Sequence, residues 1–441
     1  MEESKTHRTF SEIQEKIDHG EVVILTAQEI CDRVRDGETF ELHDIDVVTT
    51  ATSALMSGTY AVLSFKVAEP DTFTKAAKVW INTVPAQVGP CPNERIGILD
   101  LIVLGTEASI INPGYGAGDL FRDLVLGKQV LVEIETDEGE KLSSFTTLKQ
   151  IPHAMLHASR NAFKNYLAFV NPGKTAVSTI FHSNKMKGNY EEMTFCGCGE
   201  LNPLENDPEL KTIGIGTKVL INGAEGFVTG PGTRSSKDKP NLAGVADMHK
   251  MDPQFLGGFT TGHGPDIIMT WAVAIPVLDK EMLTHILKTD AQIPLKVVDV
   301  RNRKPIFEIT YGDVWNKTNH EVKFKRELCL KCDFCRVENF CPVENICPVK
   351  AVKWDTEKGL QFDRARCFNC GLCVSRCKGG TFFAHLGSIE LEGVTHKVPV
   401  TLRQSDRITA LKAAQDLKKQ MQKGQFKMTE PVGKISFPDK P

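Results

Sequence analysis

Apolar positions recur along this chain in two rhythms. Near the N-terminus the spacing is helical: Thr26 stands ahead of Ala27, Ile30, Cys31 and Val34, with Gly37 beyond them. That order predicts a short helix capped by Thr26, with Cys31 packed on its apolar face. Residues 1–40 as a whole read as helical. From about 44 to 135 the rhythm shortens to β-branched runs between Gly/Pro turns, so 61–63, 79–81, 98–103 and 130–134 read as strands. Several of these runs are almost wholly apolar, as in a sheet covered on both faces. Helical patterns fall at 117–126 and 151–167, and strand and helix patterns resume over 281–322, as at 294–300. A last amphipathic helix is expected after Ser405 as its cap, with Ile408, Leu411, Ala414, Leu417 and Met421 on one docking face and an end near Gly424. The sum is a mixed α/β fold that admits a parallel sheet.

Residues 195–280 break both rhythms. They are rich in Gly, Pro, Asn and Asp: FCGCGELNPLENDP, IGIGTKVLINGAEGFVTGPGTRSS and LGGFTTGHGPD. Loops of such length in a compact chain usually carry function, so the active site is expected here. In GPGT-Arg234-Ser235-Ser236, a Gly-rich turn, the Thr233 and serine hydroxyls and an arginine fork together suit a carboxylate, sulfonate or phosphate. Asp247 and His249 form a candidate acid/base pair against the plain reading of a polar loop. Cys196 and Cys198 are flanked by glycines, and Cys91 lies between prolines near Arg95, so all three are candidate reactive thiols. Other motifs fail. Asn171 to Thr175 suggests a phosphate loop, but Ala168 stands where its first glycine is needed. Gly214-x-Gly216 has Val219 in place of the third glycine, and His153 and His157 lack the glutamate of a metalloprotease helix.

Charge and composition narrow the classes. The 441 residues hold 53 Lys+Arg against 56 Asp+Glu, a net charge of −3, which gives no basic surface for nucleic acid. No apolar run reaches the roughly 18 residues of a membrane span. The polar start MEESKTHRTF lacks the apolar core of a signal peptide, so a cytoplasmic location with reduced thiols is expected. Of 13 cysteines, nine fall between Cys329 and Cys377, which in a reducing compartment favours metal over disulfides.

The spacing inside that segment is specific. Cys367-x2-Cys370-x2-Cys373-x3-Cys377 is a ferredoxin run, in which the close triplet wraps one [4Fe–4S] cluster and the last cysteine reaches the other. A second triplet, Cys329-x2-Cys332-x2-Cys335, is followed by two Cys-Pro pairs at Cys341 and Cys347. CPVKAV from Cys347 resembles the run that closes the first half of bacterial two-cluster ferredoxins. That likeness assigns Cys347 to the cluster of Cys367, Cys370 and Cys373, and Cys377 to that of Cys329, Cys332 and Cys335. Cys341 is left over, or replaces Cys347. Paired zinc sites would need two CxxC pairs and a longer loop instead. Two [4Fe–4S] clusters in a small α+β ferredoxin-like unit are therefore expected, fed by an external low-potential electron donor.

The segments TTATSALMSGTY, NPGYGAGDLFRDLVLGKQV, GELNPLENDP, IGIGTKVLINGAEGFVTGPGTRSS and GGFTTGHGPDI resemble the homocysteine-biosynthesis (HcyBio) family. With the appended cysteine segment and the tail VPVTLRQSDR, the chain is most similar to its branch called methanogenesis marker protein 16. One departure is that relatives making homocysteine carry a cysteine next to the SG of the TTAT motif, where this chain reads Ala54-Leu55-Met56-Ser57-Gly58. The resemblance implies an enzyme of methanogenic archaea that inserts sulfur, from sulfide or a persulfide, reductively into a small aldehyde. It implies sulfoacetaldehyde giving coenzyme M, with L-aspartate semialdehyde giving homocysteine as the alternative. The latter substrate needs an acidic partner for its ammonium, for which Asp247 or Asp266 serves. A mere electron-transfer subunit is the other class, and it would not need the long loops. Domains are expected at 1–322 (sulfur transfer), 323–386 (two-cluster unit) and 387–441 (tail with docking helix), with no membrane or nucleic-acid partner and a homo-oligomer allowed.

Overall fold

Thr26 caps as its sequence pattern requires. Its hydroxyl accepts the Glu29 N–H, the Glu29 carboxylate accepts the Thr26 N–H, and helix Ala27–Arg35 follows. The computed structural model describes residues 7–89, 91, 94–332 and 341–440. Residues 10–35 are broken rather than uniformly helical: helix Phe10–His19, strand Ile24–Thr26, then the capped helix.

Most of the remaining chain up to residue 276 forms one 14-stranded sheet, largely antiparallel. The expected parallel sheet is confined to single pairs, such as Ile24–Thr26 beside Val47–Thr49. The sheet's spine is Val47–Leu55 paired with Gly264–Pro276, two strands buried along almost their whole length. They are covered on both sides. One side joins the core of Leu120, Phe121 and Leu124 from helix Ala117–Val125. The other receives Ala410, Ala413, Ala414, Leu417 and Met421 of helix Arg407–Gln422. That helix docks as expected, but its cap is Asp406, which accepts the Ile408 N–H at 3.0 Å; Ser405 turns elsewhere.

Two readings of the sequence change. Residues 151–167 hold the strand His153–Asn161, because Ala154, Leu156 and Ala158 alternate inward and the strand is paired on both edges. Residues 195–280 fold mostly into hairpins. Lys218–Ile221 and Ala224–Pro231 turn at Asn222-Gly223, with φ of 51° and 82°, the left-handed pair that a tight hairpin demands.

A second sheet of six strands includes Ala168–Val170, Met193–Phe195, Pro294–Asp299 and Val398–Arg403. Its last member comes from the segment expected as a tail. Residues 387–441 thus complete the second sheet and cover the first, and are not an appendage. Between the paired strands Lys323–Phe324 and Phe382–Phe383 lies the cysteine-rich unit. It contains the hairpin Val352–Asp355 with Gly359–Phe362 and the short helices Pro342–Ile346 and Leu372–Arg376, capped at their C-terminal ends by Cys347 and Cys377. Among the described residues no helix is long and apolar enough to cross a membrane.

Candidate active site

The two sheets meet at a cavity of about 810 Å³. Its lining includes Leu55 and Ser57 from the first sheet, Cys196 just beyond Met193–Phe195, and Gln404 just beyond Val398–Arg403. Its walls carry Arg160, Arg234, Arg303 and Lys239, with the aromatic rings of Phe163, Tyr166 and Phe181 between them.

Each arginine is placed by backbone. Arg160 lies opposite Gly58 in the strand register, and a Cβ on Gly58 would come within 2.4 Å of the Arg160 Cβ, so only glycine leaves room. The Arg160 guanidinium stacks over Phe163 at 5.0 Å and donates to the Thr233 carbonyl at 2.6 Å. Arg303 stacks over Phe181 and donates to the Tyr166 hydroxyl at 3.0 Å. Arg234 and Arg303 both sit in left-handed backbone, φ 55° and 60°, which an arginine adopts only at a cost. Burial, then the charges of Arg234 and Arg303, push the Arg160 pKa down. Three cations held this close favour an anion between them.

Opposite them stands Asp266, the only acid among the described residues that line the cavity. Its carboxylate accepts from Ser57 at 2.8 Å and from the Ile267 N–H at 2.8 Å. Burial outweighs these bonds and holds its pKa up at about 6. Ser57 is the serine of the SG pair beside which homocysteine-forming relatives were expected to carry a cysteine; Met56, the residue before that pair, is buried and outside the lining.

The two cysteines of FCGCGE part company. Cys196 lines the cavity, with its sulfur 3.6 Å from the Ser405 hydroxyl. Its carbonyl accepts from the Tyr311 hydroxyl at 2.7 Å, and Gly197 next to it has φ 131° with Tyr311 so close that a Cβ would clash at 2.2 Å. Burial pushes the Cys196 thiol up to about 12. Cys198 points away, into the core beneath helix Arg407–Gln422, against the Ser53 carbonyl.

Several nominated residues are elsewhere. Cys91 is exposed and outside the lining. His249 is also outside it: Nδ1 faces Asp247 at 2.6 Å and Nε2 faces the Leu148 and Ile151 carbonyls, so the pair clasps two turns and leaves no ring nitrogen for chemistry. In the Arg234 turn only Arg234 reaches the cavity. The N–H groups of Thr233, Ser235 and Ser236 are spent on Ser159, Gly232 and Lys239 carbonyls, and both serines are buried. Arg160 and Arg303 are the additions that the sequence pattern did not mark.

Behind the Leu55 and Gln404 wall lies the cysteine-rich unit. Cys347, Cys367, Cys370 and Cys373 form one group. Burial, then the neighbouring thiols, raises the pKa of Cys370 and Cys373, and burial pushes Cys367 up to about 12. Backbone N–H groups aim at two of the sulfurs, Ala351 at Cys347 (3.3 Å) and Asn369 at Cys367 (3.4 Å). Cys329, Cys332, Cys341 and Cys377 share a second apolar cluster. Burial opposes ionisation of Cys377, but hydrogen bonds from Thr381, Phe382 and Gly379 outweigh it and hold the thiol's pKa below its ordinary value. The charges of Cys332 and Cys329 act on the Cys341 thiol and that of Cys347 on Cys367, Cys370 and Cys373, while Cys347 and Cys373 also touch the second apolar cluster. Cys335 lies outside the described residues. Donors aimed at sulfur and two thiol groups fit four-iron clusters, whose sulfurs accept such bonds. Among the described residues, no three His, Cys, Asp or Glu form a group that could hold a single metal ion.

The unit is clamped to the cavity wall. Asp119, 7% exposed at its side chain, pairs with Lys350 at 3.1 Å and Arg366 at 2.8 Å, and the Thr260 N–H donates to the Pro348 carbonyl. Asp119→Asn is expected to destabilise this seam by roughly 1–3 kcal/mol. Hydrogen exchange over residues 342–377 should quicken; unchanged exchange would show that the seam is held by its apolar contacts alone.

Comparison with known proteins fits this geometry. The profile described as "Homocysteine biosynthesis enzyme, sulfur-incorporation" matches residues 22–428. The chain belongs to the HcyBio family. It is therefore an enzyme, and the family's region spans both the cavity and the cysteine-rich unit. The chain is 43% identical over 422 residues to an "uncharacterized protein" of Methanothermobacter thermautotrophicus, covering 96% of this chain and 94% of the relative. A Methanocaldococcus jannaschii protein, likewise called uncharacterized, is 37% identical over 92% of this chain and 99% of its own length. A second protein of that organism, named L-aspartate semialdehyde sulfurtransferase, is 29% identical over 71% of this chain and 62% of its own length. No solved structure matches this HcyBio chain.

Proposed function

We propose that this HcyBio enzyme inserts sulfur reductively into a small anionic aldehyde. The observation that carries the reading is a single cavity lined by the Cys196 thiol and by four cations, with a four-cysteine group beside it. The overall reaction balances: one aldehyde, one hydrogen sulfide, two electrons and two protons give one thiol and one water. Arg160, Arg234 and Arg303 hold the anionic end of the substrate, and the aromatic rings exclude water. Hydrogen sulfide held beside Cys196 bonds through sulfur to the aldehyde carbon while the carbonyl electron pair moves to oxygen; the two sulfide protons pass to that oxygen, which leaves as water, and the thiocarbonyl that remains takes two electrons and two protons to become the thiol. Cys347, Cys367, Cys370 and Cys373 would hold one four-iron cluster, and Cys329, Cys332 and Cys377 with one further thiol would hold a second; such clusters would supply electrons one at a time. The route inward is short: the Cys370 carbonyl accepts the Arg403 N–H at 2.8 Å, and Gln404 and Ser405 then reach the cavity and Cys196.

For the aldehyde, L-aspartate semialdehyde is the reading that the named relatives support, and it displaces sulfoacetaldehyde as first choice. Its ammonium needs an acid, and Asp266 stands in the cavity while Asp247 does not. Sulfoacetaldehyde remains the second reading on one observation, four cations facing one carboxylate. Anaerobically reconstituted enzyme with sulfide, a low-potential reductant and a panel of aldehydes tests the function; thiol from none of them would sink it.

Asp266→Asn separates the substrates. With aspartate semialdehyde the ammonium pairs only with ionised Asp266, so kcat/KM should rise as pH passes through about 6. The Asn variant should lose that rise, and about 1.5–3 kcal/mol of binding, or about 10- to 150-fold in KM. Turnover of sulfoacetaldehyde should suffer far less. Equal losses with both aldehydes would make Asp266 an acid–base group and not an ammonium reader.

A further inference from the structure

Arg403 ends the Val398–Arg403 strand and is completely buried. Its Nη1 donates to the Asn319 carbonyl at 2.7 Å, while Nε and Nη2 meet no acceptor among the described residues. No carboxylate is therefore hydrogen-bonded to this guanidinium. Arg407, on the same Trp315 ring, is the contrast. Both guanidiniums lie over Trp315, at 4.8 and 5.1 Å, but Arg407 is neutralised by Asp290 at 2.5 Å and Glu200 at 3.2 Å. Asp406, the nearest acid along the chain, is committed to Asn369, Thr409 and the Ile408 N–H. His320 packs edge-on against Trp315, and burial, with Arg407 and Arg403 next, lowers its pKa to about 4, so it brings no negative charge.

Asp406 acts on Arg403 only through space, and a buried cation without a hydrogen-bonded counter-charge is destabilising. The Arg403 backbone N–H donates to the Cys370 carbonyl at 2.8 Å, and the charges of Asp406 and then of Cys370 act on its guanidinium. A four-iron cluster on four thiolates is an anion, and one-electron reduction adds one more negative charge. A fixed cation beside it stabilises the reduced form, net charge being one of the determinants of such potentials.

We propose that Arg403 is the counter-charge of the cluster held by Cys347, Cys367, Cys370 and Cys373, and that it holds that cluster's reduction potential above the value the thiolates alone would set. The proposal rests on the cluster assignment, not on the identity of the aldehyde. Arg403 is a positioning residue: it touches no substrate and acts through the cluster.

The test is an EPR-monitored redox titration of the full chain, reconstituted anaerobically, with iron counted in each sample. In Arg403→Met one of the two midpoints should fall by at least tenfold in the one-electron equilibrium constant, about 59 mV, while the other stays put. Arg403→Lys keeps the charge and should shift that midpoint by less than half as much. Unmoved midpoints in the Met variant overturn the proposal, and so does a Lys variant that shifts as far as Met. If the Met variant takes up no iron, the Lys variant decides: wild-type iron and midpoints support the proposal, and a tenfold fall overturns it. A wild-type chain that binds no iron would sink the cluster assignment, a failure distinct from that of Arg403.

Discussion

Cys196→Ala is expected to lower thiol formation by at least about a thousandfold while leaving iron content unchanged. Among the cysteines of FCGCGE and Cys91, only Cys196 lines the cavity. Its raised pKa, about 12, comes from burial, and a hydrogen bond with Ser405 offsets only part of it. The resting protein therefore carries a protonated thiol that is slow toward external alkylating agents. Exposed Cys91 should label fast at neutral pH, and Cys91→Ala should keep wild-type turnover. Cys198→Ala removes a sulfur from the core under helix Arg407–Gln422, so it should lower Tm more than kcat. Wild-type turnover by Cys196→Ala would show that free sulfide attacks the aldehyde unaided.

Arg234→Ala should raise KM by about 30- to 150-fold, the loss of about 2–3 kcal/mol from one charge-assisted contact. Lys at this position should recover little, because it lacks the planar fork and its two parallel donors. Backbone supplies an internal control. Arg234 has φ 55°, where glycine is comfortable and arginine is not. Arg234→Gly should therefore lose as much activity as Ala while raising Tm above that of the Ala variant. A KM that stays at the wild-type value in both variants would remove Arg234 from the anion site.

What the sequence shows depends on how far apart the cooperating residues lie. The Thr26 cap, the strand near 98–103 and the two cysteine triplets are set by neighbours within a few positions, and each is legible. Residues 151–167 mislead because Ile151, Ala154, Met155, Ala158 and Ala162 also fall at helical spacing, and only pairing with strands nearly a hundred residues away in each direction decides for a strand. Asn222-Gly223 is a legible hairpin signal hidden inside a stretch that looks like one long loop. Within the site, Cys196 and Arg234 stand out because glycines surround them. Arg160 and Arg303 look like ordinary surface arginines until strand register brings them to the same cavity; the one local hint is Gly58, the small residue that lets Arg160 in. Asp247 and His249 have the right chemistry and the wrong address, since their ring nitrogens and carboxylate close a turn.

The strand Val398–Arg403, together with Gln404 and Ser405, forms the partition between the four-cysteine group and the cavity, and it is also nearly the last part of the fold to be translated. A chain still on the ribosome can complete most of the first sheet, yet it has no inner wall to its cavity until residue 405 has emerged, and no cover over the spine strands until about residue 422. The cysteine segment is made before that partition. Cutting at residue 323 would therefore discard the wall of the chamber along with the cysteine-rich unit behind it.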